Sequence, residues 1–565
     1  MKKRLLIIVS LAVASVMLFS ACGANNSGAA PSDPVVAASD GNAAASESAA
    51  ADSGGEAAAS DGQYENPGYG YPVGDFSEPV TISMTVLDAE KTGNTARDKW
   101  LFDQFNIKFE LIPVTWGDWL EKVRVMVAGD DIPDILWWDM KINHTAEFRS
   151  WAQAGAFREI GDTAAYPNLQ ALREKTVSME KMLTVDGKLY GWSANRNNPD
   201  WLDNAYYPMF AYRRDWAQAL NMYKEGDQYT WAEVLAMIDA VKQQDPNGNG
   251  AGNTFGMVSE TWAFPGVYMS ILDYSETQDS YVKDASGKYT PYFTTDAFRQ
   301  ELKFLADLYR GGYIWKDQIA ISGSEGLDNF KAGRAFMYLG NNSPDWFSGQ
   351  YASWVETGSI DSPDALAPMI IFGPVTNTRF TLVQTEDYWT VANFSHNVDD
   401  KKYERILQLW DWYASEDGRA YRVSGIPGVD YERVSDTDIN ILWTKTADGL
   451  YDSPYRDTAN NFATPPCLVP SPNEGTNMTG YNAFEKIFEF IQTSPDYFVR
   501  PLNWDLNTFN GEQFSQYGSF SSERDEFIKT VLASSDDVDS MLDQWLGEMA
   551  PKWGPVAAEL DEQLK

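Results

Sequence analysis

Between residues 80 and 139 the apolar positions change period several times. "VTISMTVL" (80–87) alternates as a strand does. "NTARDKWLFDQF" then reads as a helix capped by Asn94, and "NIKFELIPV" as a second strand with Ile107, Phe109 and Leu111 on one side. In "WGDWLEKVRVMVAGDD" the apolar residues Trp119, Val123, Met126 and Val127 recur at helical spacing up to Gly129. The strand "DILWW" follows. Strand, helix, strand in such short order is a βαβ unit, whose right-handed crossover makes the strands parallel. Ligands of open parallel sheets bind beyond the carboxyl ends of the strands, where Trp138 and Asp139 stand. Trp137 points to the opposite strand face and is assigned to the core.

The alternation continues. "YTWAEVLAMIDAVKQQ" opens with a capping box, Thr230 with Glu233, and repeats Trp231, Val234, Leu235, Ile238 and Val241 at helical spacing. "DAFRQELKFLADLYRGG" sets Phe298, Leu302, Leu305 and Tyr309 on one face and stops at Gly311 and Gly312. "KKYERILQLWDWYAS" aligns Tyr403, Leu407 and Trp410. Alternating helices and short strands over this length imply α/β lobes, and no internal repeat is visible.

The beginning of the chain follows other rules. Lys2, Lys3 and Arg4 precede an apolar run, Leu5 to Phe19, shorter than the ~20 residues of a membrane span. It reads as a secretion leader over residues 1–22. It ends in "LFSAC", similar to the lipobox at which a bacterial lipoprotein is cleaved and its new N-terminal cysteine, here Cys22, is acylated. Residues 23–76 are rich in Ala, Ser, Gly and Asp and bury too little to offset chain entropy, so a disordered tether is expected. Taking the three leader cations from 44 basic residues leaves 41 against 81 acids, a net charge of −40. Such a surface repels nucleic acid and anionic headgroups. The only other cysteine is Cys467, so the body forms no internal disulfide.

A string of blocks resembles the extracytoplasmic solute-binding lipoproteins of ABC importers, family 1 type. The blocks are "VTWGDWLEKVRVMVAGDDIPDILWWD", "GAFREIGD" (155–162), "VDGKLYGW" (185–192), "FAYRRDWA" (210–217), "WAEVLAMIDAVKQQDPNGNGAGNTFGM" (231–257), "LYRGGYI", "FKAGRAFMYLGNN" and "SGIPGVDY" (424–431). Each is weak alone; their order and spacing make the set specific. The resemblance implies a type II periplasmic-binding-protein-like fold: two α/β lobes, a multi-strand hinge, and ligand in the cleft between them. It places lobe 1 at 77–192 plus about 391–440 and lobe 2 at about 193–390 plus about 441–565. The implied function is capture of a sugar or oligosaccharide for a membrane permease. The implied protein is a monomer, lipid-anchored through Cys22 outside the cytoplasmic membrane of a Gram-positive bacterium.

A pyranose has an apolar C–H face and a rim of hydroxyls, so aromatic rings with carboxylates, amides and guanidinium groups suit it. The chain holds 21 Trp and 29 Tyr, most of which must be core. Trp119, Trp231 and Trp410, on helical apolar faces, are assigned there. The candidates for the ligand site are Trp138 and Asp139, then Trp192 and Arg196 near the expected hinge. Tyr212 and Arg213 follow, at a family position whose tyrosine often stacks on sugar, with the loop aromatics Trp262, Trp346 and Trp389. Trp138→Ala is expected to weaken sugar binding by ~1–3 kcal/mol and leave the fold intact.

In "DPNGNGAGN", Asp245, Asn247 and Asn249 take positions 1, 3 and 5 of an EF-hand-like loop. Gly250 stands at 6, the Ala251 carbonyl is available at 7, and Asn253 is at 9. Related alginate-type binding proteins carry calcium in such a loop. Here position 12 is Gly256 instead of a bidentate Glu, and a single carboxylate remains. A structural Ca2+ and a metal-free turn both fit, and no other cofactor is implied. Two rivals stand beside the binding protein. A secreted glycoside hydrolase would need two carboxyls ~5–10 Å apart, one with raised pKa. A surface-adhesion lipoprotein would share the tether. With only His144 and His396, zinc catalysis is disfavoured.

Overall fold

The computed structural model describes residues 74–564, except 88–92, 94, 196–207, 271, 276–278, 322, 342–353, 355–359, 361–362, 384–385, 435–438, 446–486, 488 and 495. The leader, the expected tether up to residue 73, Cys22, Arg196, Trp346 and Cys467 lie outside the described residues. Among those described, no helix is long and apolar enough to cross a membrane.

Along the chain run β1 (Val80–Leu87), α1 (Ala96–Gln104), β2 (Ile107–Val114), α2 (Trp119–Ala128), β3 (Ile135–Trp138), α3 (Thr145–Gln153), α4 (Val177–Lys181) and β4 (Trp192–Asn195). Next come β5 (Pro208–Arg213), β6 (Gln228–Thr230), α5 (Trp231–Gln244), β7 (Phe255–Ser259), α6 (Asp296–Arg310), β8 (Ala335–Asn341) and β9 (Leu366–Phe372). The chain continues through β10 (Phe380–Val383), β11 (Tyr388–Phe394), α7 (Asp400–Ala414), β12 (Tyr497–Arg500) and α8 (Trp504–Asn507).

Two five-stranded sheets result, in orders β2-β1-β3-β11-β4 and β6-β9-β5-β8-β7. β1 is parallel to both β2 and β3, as the βαβ pattern requires. The β1–β3 ladder is short, with Met84 opposite Ile135, and side chains extend it. Thr85 Oγ1 donates to Trp137 O at 2.6 Å and accepts from Trp137 N at 2.8 Å, which satisfies a hydroxyl buried at 0% exposure. Two residues earlier in β1, Ser83 N donates to Asp134 Oδ2 at 2.8 Å and Ser83 Oγ accepts from Asp134 N at 2.9 Å.

All four residues of β3 are buried, Trp137 and Trp138 alike. A central strand of a sheet covered on both faces has no solvent side, so Trp138 is as buried as Trp137. In the second sheet β5 sends Phe210 and Tyr212 into one core and Met209 and Ala211 into the other. Core positions on α5 and α6 match the helical spacing: Trp231, Val234 and Ile238, then Phe298, Leu302 and Leu305, are buried. Each contributes roughly 1.5–3 kcal/mol on leaving water. The capping box of α5 is formed by Thr230 and Glu233. The cap of α1 is Thr95, paired with Asp98, one residue beyond the expected Asn94.

β4 and β11, which pair with each other in the first sheet, are the strands nearest the second lobe in the chain. The boundaries expected at 192 and 391 fall inside these strands. A third connection is the short helix α8. Its Trp504 packs on the first core while Leu506 is buried in the second. Lys181 of α4 pairs with Asp505 at 2.7 Å, and Arg149 of α3 donates to Thr508 O at 3.1 Å.

Candidate functional site

Strand polarity decides which residues meet. The parallel strands of the first sheet all end on one side, where Val114, Trp138 and Asp139 lie. There a cavity of about 160 Å³ opens, lined by Trp116, Trp119, Leu120, Trp138, Asp139 and His144. Trp119 caps the wall from the first turn of α2, its Nε1 donating to Trp137 O at 3.1 Å. Its ring centroid lies 4.6 Å from Trp137 and 5.7 Å, edge-on, from Trp116. Trp138 is 1% exposed, stacked on His144 at 6.0 Å and backed by Trp151 at 5.5 Å. Trp116 is 62% exposed. Sequence reasoning missed it. Yet it stands two residues past a strand's carboxyl end, in the same kind of position as Trp138.

The polar groups of this wall are set by local chemistry. Lys141 Nζ pairs with Asp139 Oδ1 at 2.8 Å. The backbone N–H of Lys141 donates to His144 Nδ1 at 3.1 Å, so the neutral ring carries its proton on Nε2. Burial lowers the His144 pKa below the usual imidazole value, against the upward pull of Glu147 and Asp139. The wall therefore offers a carboxylate, an N–H donor and indole faces side by side.

In the second sheet β7, β8 and β9 share a direction and β5 runs against them. Glu260 and Trp262 follow the carboxyl end of β7, beside the end of β8. Trp262 is 48% exposed, and its Nε1 donates to Glu260, which also accepts from the buried Tyr338 hydroxyl.

Tyr212 and Arg213 are not brought to this region. Because β5 is antiparallel to its neighbours, its carboxyl end pairs with the beginnings of β8 and β9, at the opposite edge of the sheet. Tyr212 is fully buried and donates its hydroxyl to Asp227, which Arg214 Nη2 also holds at 2.6 Å. Arg213 pairs with Asp215 through Nε at 2.9 Å and lies 4.7 Å over Trp216. "YRRD" thus builds a buried ion-pair cluster. Trp192 is also displaced from the expected site: it pairs with Ala392 and is fully buried in the first core, its indole N–H without a partner among the described residues. Trp389 lies in β11, its side chain outside the described residues.

The loop after α5 closes on itself. Asp245, in a left-handed conformation, accepts from Asn249 N at 3.1 Å, Gly250 N at 2.7 Å and Thr254 Oγ1 at 2.5 Å. Asn247 and Asn249 turn their amide N–H groups to Gly333 O, at 2.9 and 2.8 Å. Both Asp245 oxygens are committed to loop donors. Ala251 and Asn253 add no second carboxylate. Among the described residues, no three His, Cys, Asp or Glu side chains form a metal cluster. With one carboxylate and Gly256 at position 12, the loop offers calcium a weakly charged donor set.

Two α/β sheets, each with its strand ends carrying rings and carboxylates, define the class: a two-lobe solute-binding fold. No protein-family model matches the chain. The polygalacturonan/rhamnogalacturonan-binding protein YtcQ of Bacillus subtilis is 27% identical over 328 residues, 56% of this chain. The match spans 59% of that relative's own length. Among solved structures, the fold is shared with Streptococcus pneumoniae FusA, an ABC-transporter substrate-binding protein in complex with kestose, at a TM-score of 0.62 and 15% identity over 85% of this chain and 97% of that one. It is shared too with the alginate-binding protein AlgQ2 without calcium ion, at a TM-score of 0.61 and 17% identity over 86% and 98%. The chain thus shares its two-lobe fold with these solute-binding proteins and part of its sequence with YtcQ.

Proposed function

We propose that this chain is the solute-capturing component of an ABC importer, and that it holds a sugar or oligosaccharide between its lobes without altering it. The observation that carries this reading is the cavity at the ends of β2 and β3. There the mostly exposed Trp116 lies beside Trp138, Asp139 and His144. Rings cover the C–H face of a sugar while the carboxylate and N–H meet its hydroxyls. Trp262, fixed by Glu260, supplies the ring of the second wall. Capture proceeds by closure: a ligand touching both walls favours the closed form by its differential affinity. The closed body docks on a permease, and Cys22 anchors the monomeric chain at the outer face of the membrane.

A hydrolase is the weaker reading. Glu301 and Asp387 are described carboxyls whose pKa burial raises, as an acid catalyst's must be. Glu301 sits inside packed structure, and neither lines the cavity. The loop after α5 is proposed to fold on its own hydrogen bonds, as scaffolding.

The test is calorimetric titration of the purified chain with a panel including kestose, chitin oligosaccharides and galacturonate oligosaccharides. Saturable binding of at least one member, with no product on chromatography, is the expected result. Cleavage of any member supports the hydrolase, and no binding at all removes the saccharide reading.

A further inference from the structure

Both indoles at the end of β3 are hydrogen-bonded to a single strand, the one that enters from the second lobe. Trp137 Nε1 donates to Thr390 Oγ1 at 2.8 Å, and Trp138 Nε1 donates to Asn393 Oδ1 at 2.7 Å. All four side chains are at most 1% exposed, so a lost acceptor leaves an indole N–H unpaired and out of water. Asn393 is itself fixed, its Nδ2 donating to Tyr190 O at 2.8 Å. A Cβ on residue 191 would come within 2.5 Å of that nitrogen, so Gly191 makes the room.

The other end of β11 points to the hinge. β10, which pairs with β12, ends at Val383, and β11 begins at Tyr388. The β11–β4 register shifts between Tyr388 and Thr390, a local irregularity directly beside the Thr390 acceptor. Just ahead of it, Asp387 accepts from Ser178 N at 3.1 Å, and Ser178 Oγ donates to Ser193 Oγ of β4 at 2.9 Å. Both crossing strands are therefore fastened to the start of α4.

We propose that Thr390 and Asn393 are positioning residues that set the ring wall of the cavity from the hinge strand, so that lobe movement and the pose of Trp138 change together. This rests on the saccharide reading of the cavity. Packed elements of this kind shift between discrete arrangements and do not deform continuously. A movement of β11 carries both acceptors, and with them both indoles. Trp137 does not line the cavity, so an effect of Thr390 on affinity must travel through this coupling.

Thr390→Val keeps the shape and removes the acceptor, Thr390→Ser restores a hydroxyl, and Asn393→Leu removes both of its hydrogen bonds. The full chain is compared at a temperature where every variant keeps the wild-type far-UV spectrum. In the ligand-free protein, Asn393→Leu is expected to shift tryptophan emission and increase acrylamide quenching. For the panel saccharide that binds wild type, Kd is expected to rise roughly fivefold or more in Thr390→Val and Asn393→Leu, and to stay within about twofold in Thr390→Ser. A lowered Tm with Kd unchanged in Thr390→Val overturns the proposal, because a merely structural role moves stability alone. If wild type binds no saccharide, the functional reading falls, and unchanged emission and quenching in Asn393→Leu still overturn the positioning role separately.

Discussion

Trp116 and Trp138 line one cavity and differ in what their removal does. Trp138 is buried and hydrogen-bonded, so Trp138→Ala is expected to cost ~3–5 kcal/mol of stability as well as binding, contrary to the sequence-based expectation of an intact fold. Trp116 is mostly exposed. Trp116→Ala should leave the denaturation midpoint near wild type and weaken saccharide binding by ~0.5–1.5 kcal/mol in a titration. Unchanged affinity would strike it from the site. The place of Trp138 and Asp139 at a strand's carboxyl end was legible because that end can be read from a βαβ pattern. Tyr212 and Arg213 were misplaced because the direction of β5 within its sheet is a tertiary fact. Its hydrophobic alternation is the same whichever way it runs.

Among the elements, α6 carries an unusual group. Glu301 is 1% exposed, its Oε1 lies 3.6 Å from the equally buried Arg500 of β12, and its Oε2 accepts from Tyr292 at 2.5 Å. Burial raises its pKa from 4.5 to about 7, with Arg500 and Tyr292 pulling the other way. The folded form thus keeps a proton that the unfolded form has released. The stability from this group is fully present below pH 4.5 and is lost as pH rises toward 7. Glu301→Gln, permanently neutral, should become more stable relative to wild type across that window. A pH-independent difference between the two melting curves would contradict this. The loop after α5 makes a second case. EDTA and CaCl2 should each leave the wild-type Tm unchanged, while Asp245→Ala lowers it by releasing three loop donors. A calcium-dependent rise in Tm would show that the loop rearranges into a metal shell. The period of α5 and α6 was readable because burial alone sets it. The fate of Asp245 was not, since its competing hydrogen bonds come from Gly250 and Thr254 folding back.

At the scale of the whole molecule, the α/β class followed from alternating elements, and the two-lobe division from the order of the blocks. The α8 strap is not legible in the sequence: only the fold shows that Trp504 and Leu506 enter different cores. The proposed closure of the lobes would load the contacts that tie α8 to the first lobe, Lys181–Asp505 and Arg149–Thr508. Solution scattering should therefore show a smaller radius of gyration when a bound saccharide is present, and an unchanged one would rule out closure as the capture step. The strand ends of the two sheets are proposed to hold a carbohydrate intact. A crystal structure of the complex with the tightest-binding panel saccharide decides it. The expected result is an unbroken sugar lying against Trp116, its hydroxyls on Asp139 and His144, with Trp262 facing it from the second lobe. A sugar bound elsewhere, or cleaved in the cavity, contradicts the account.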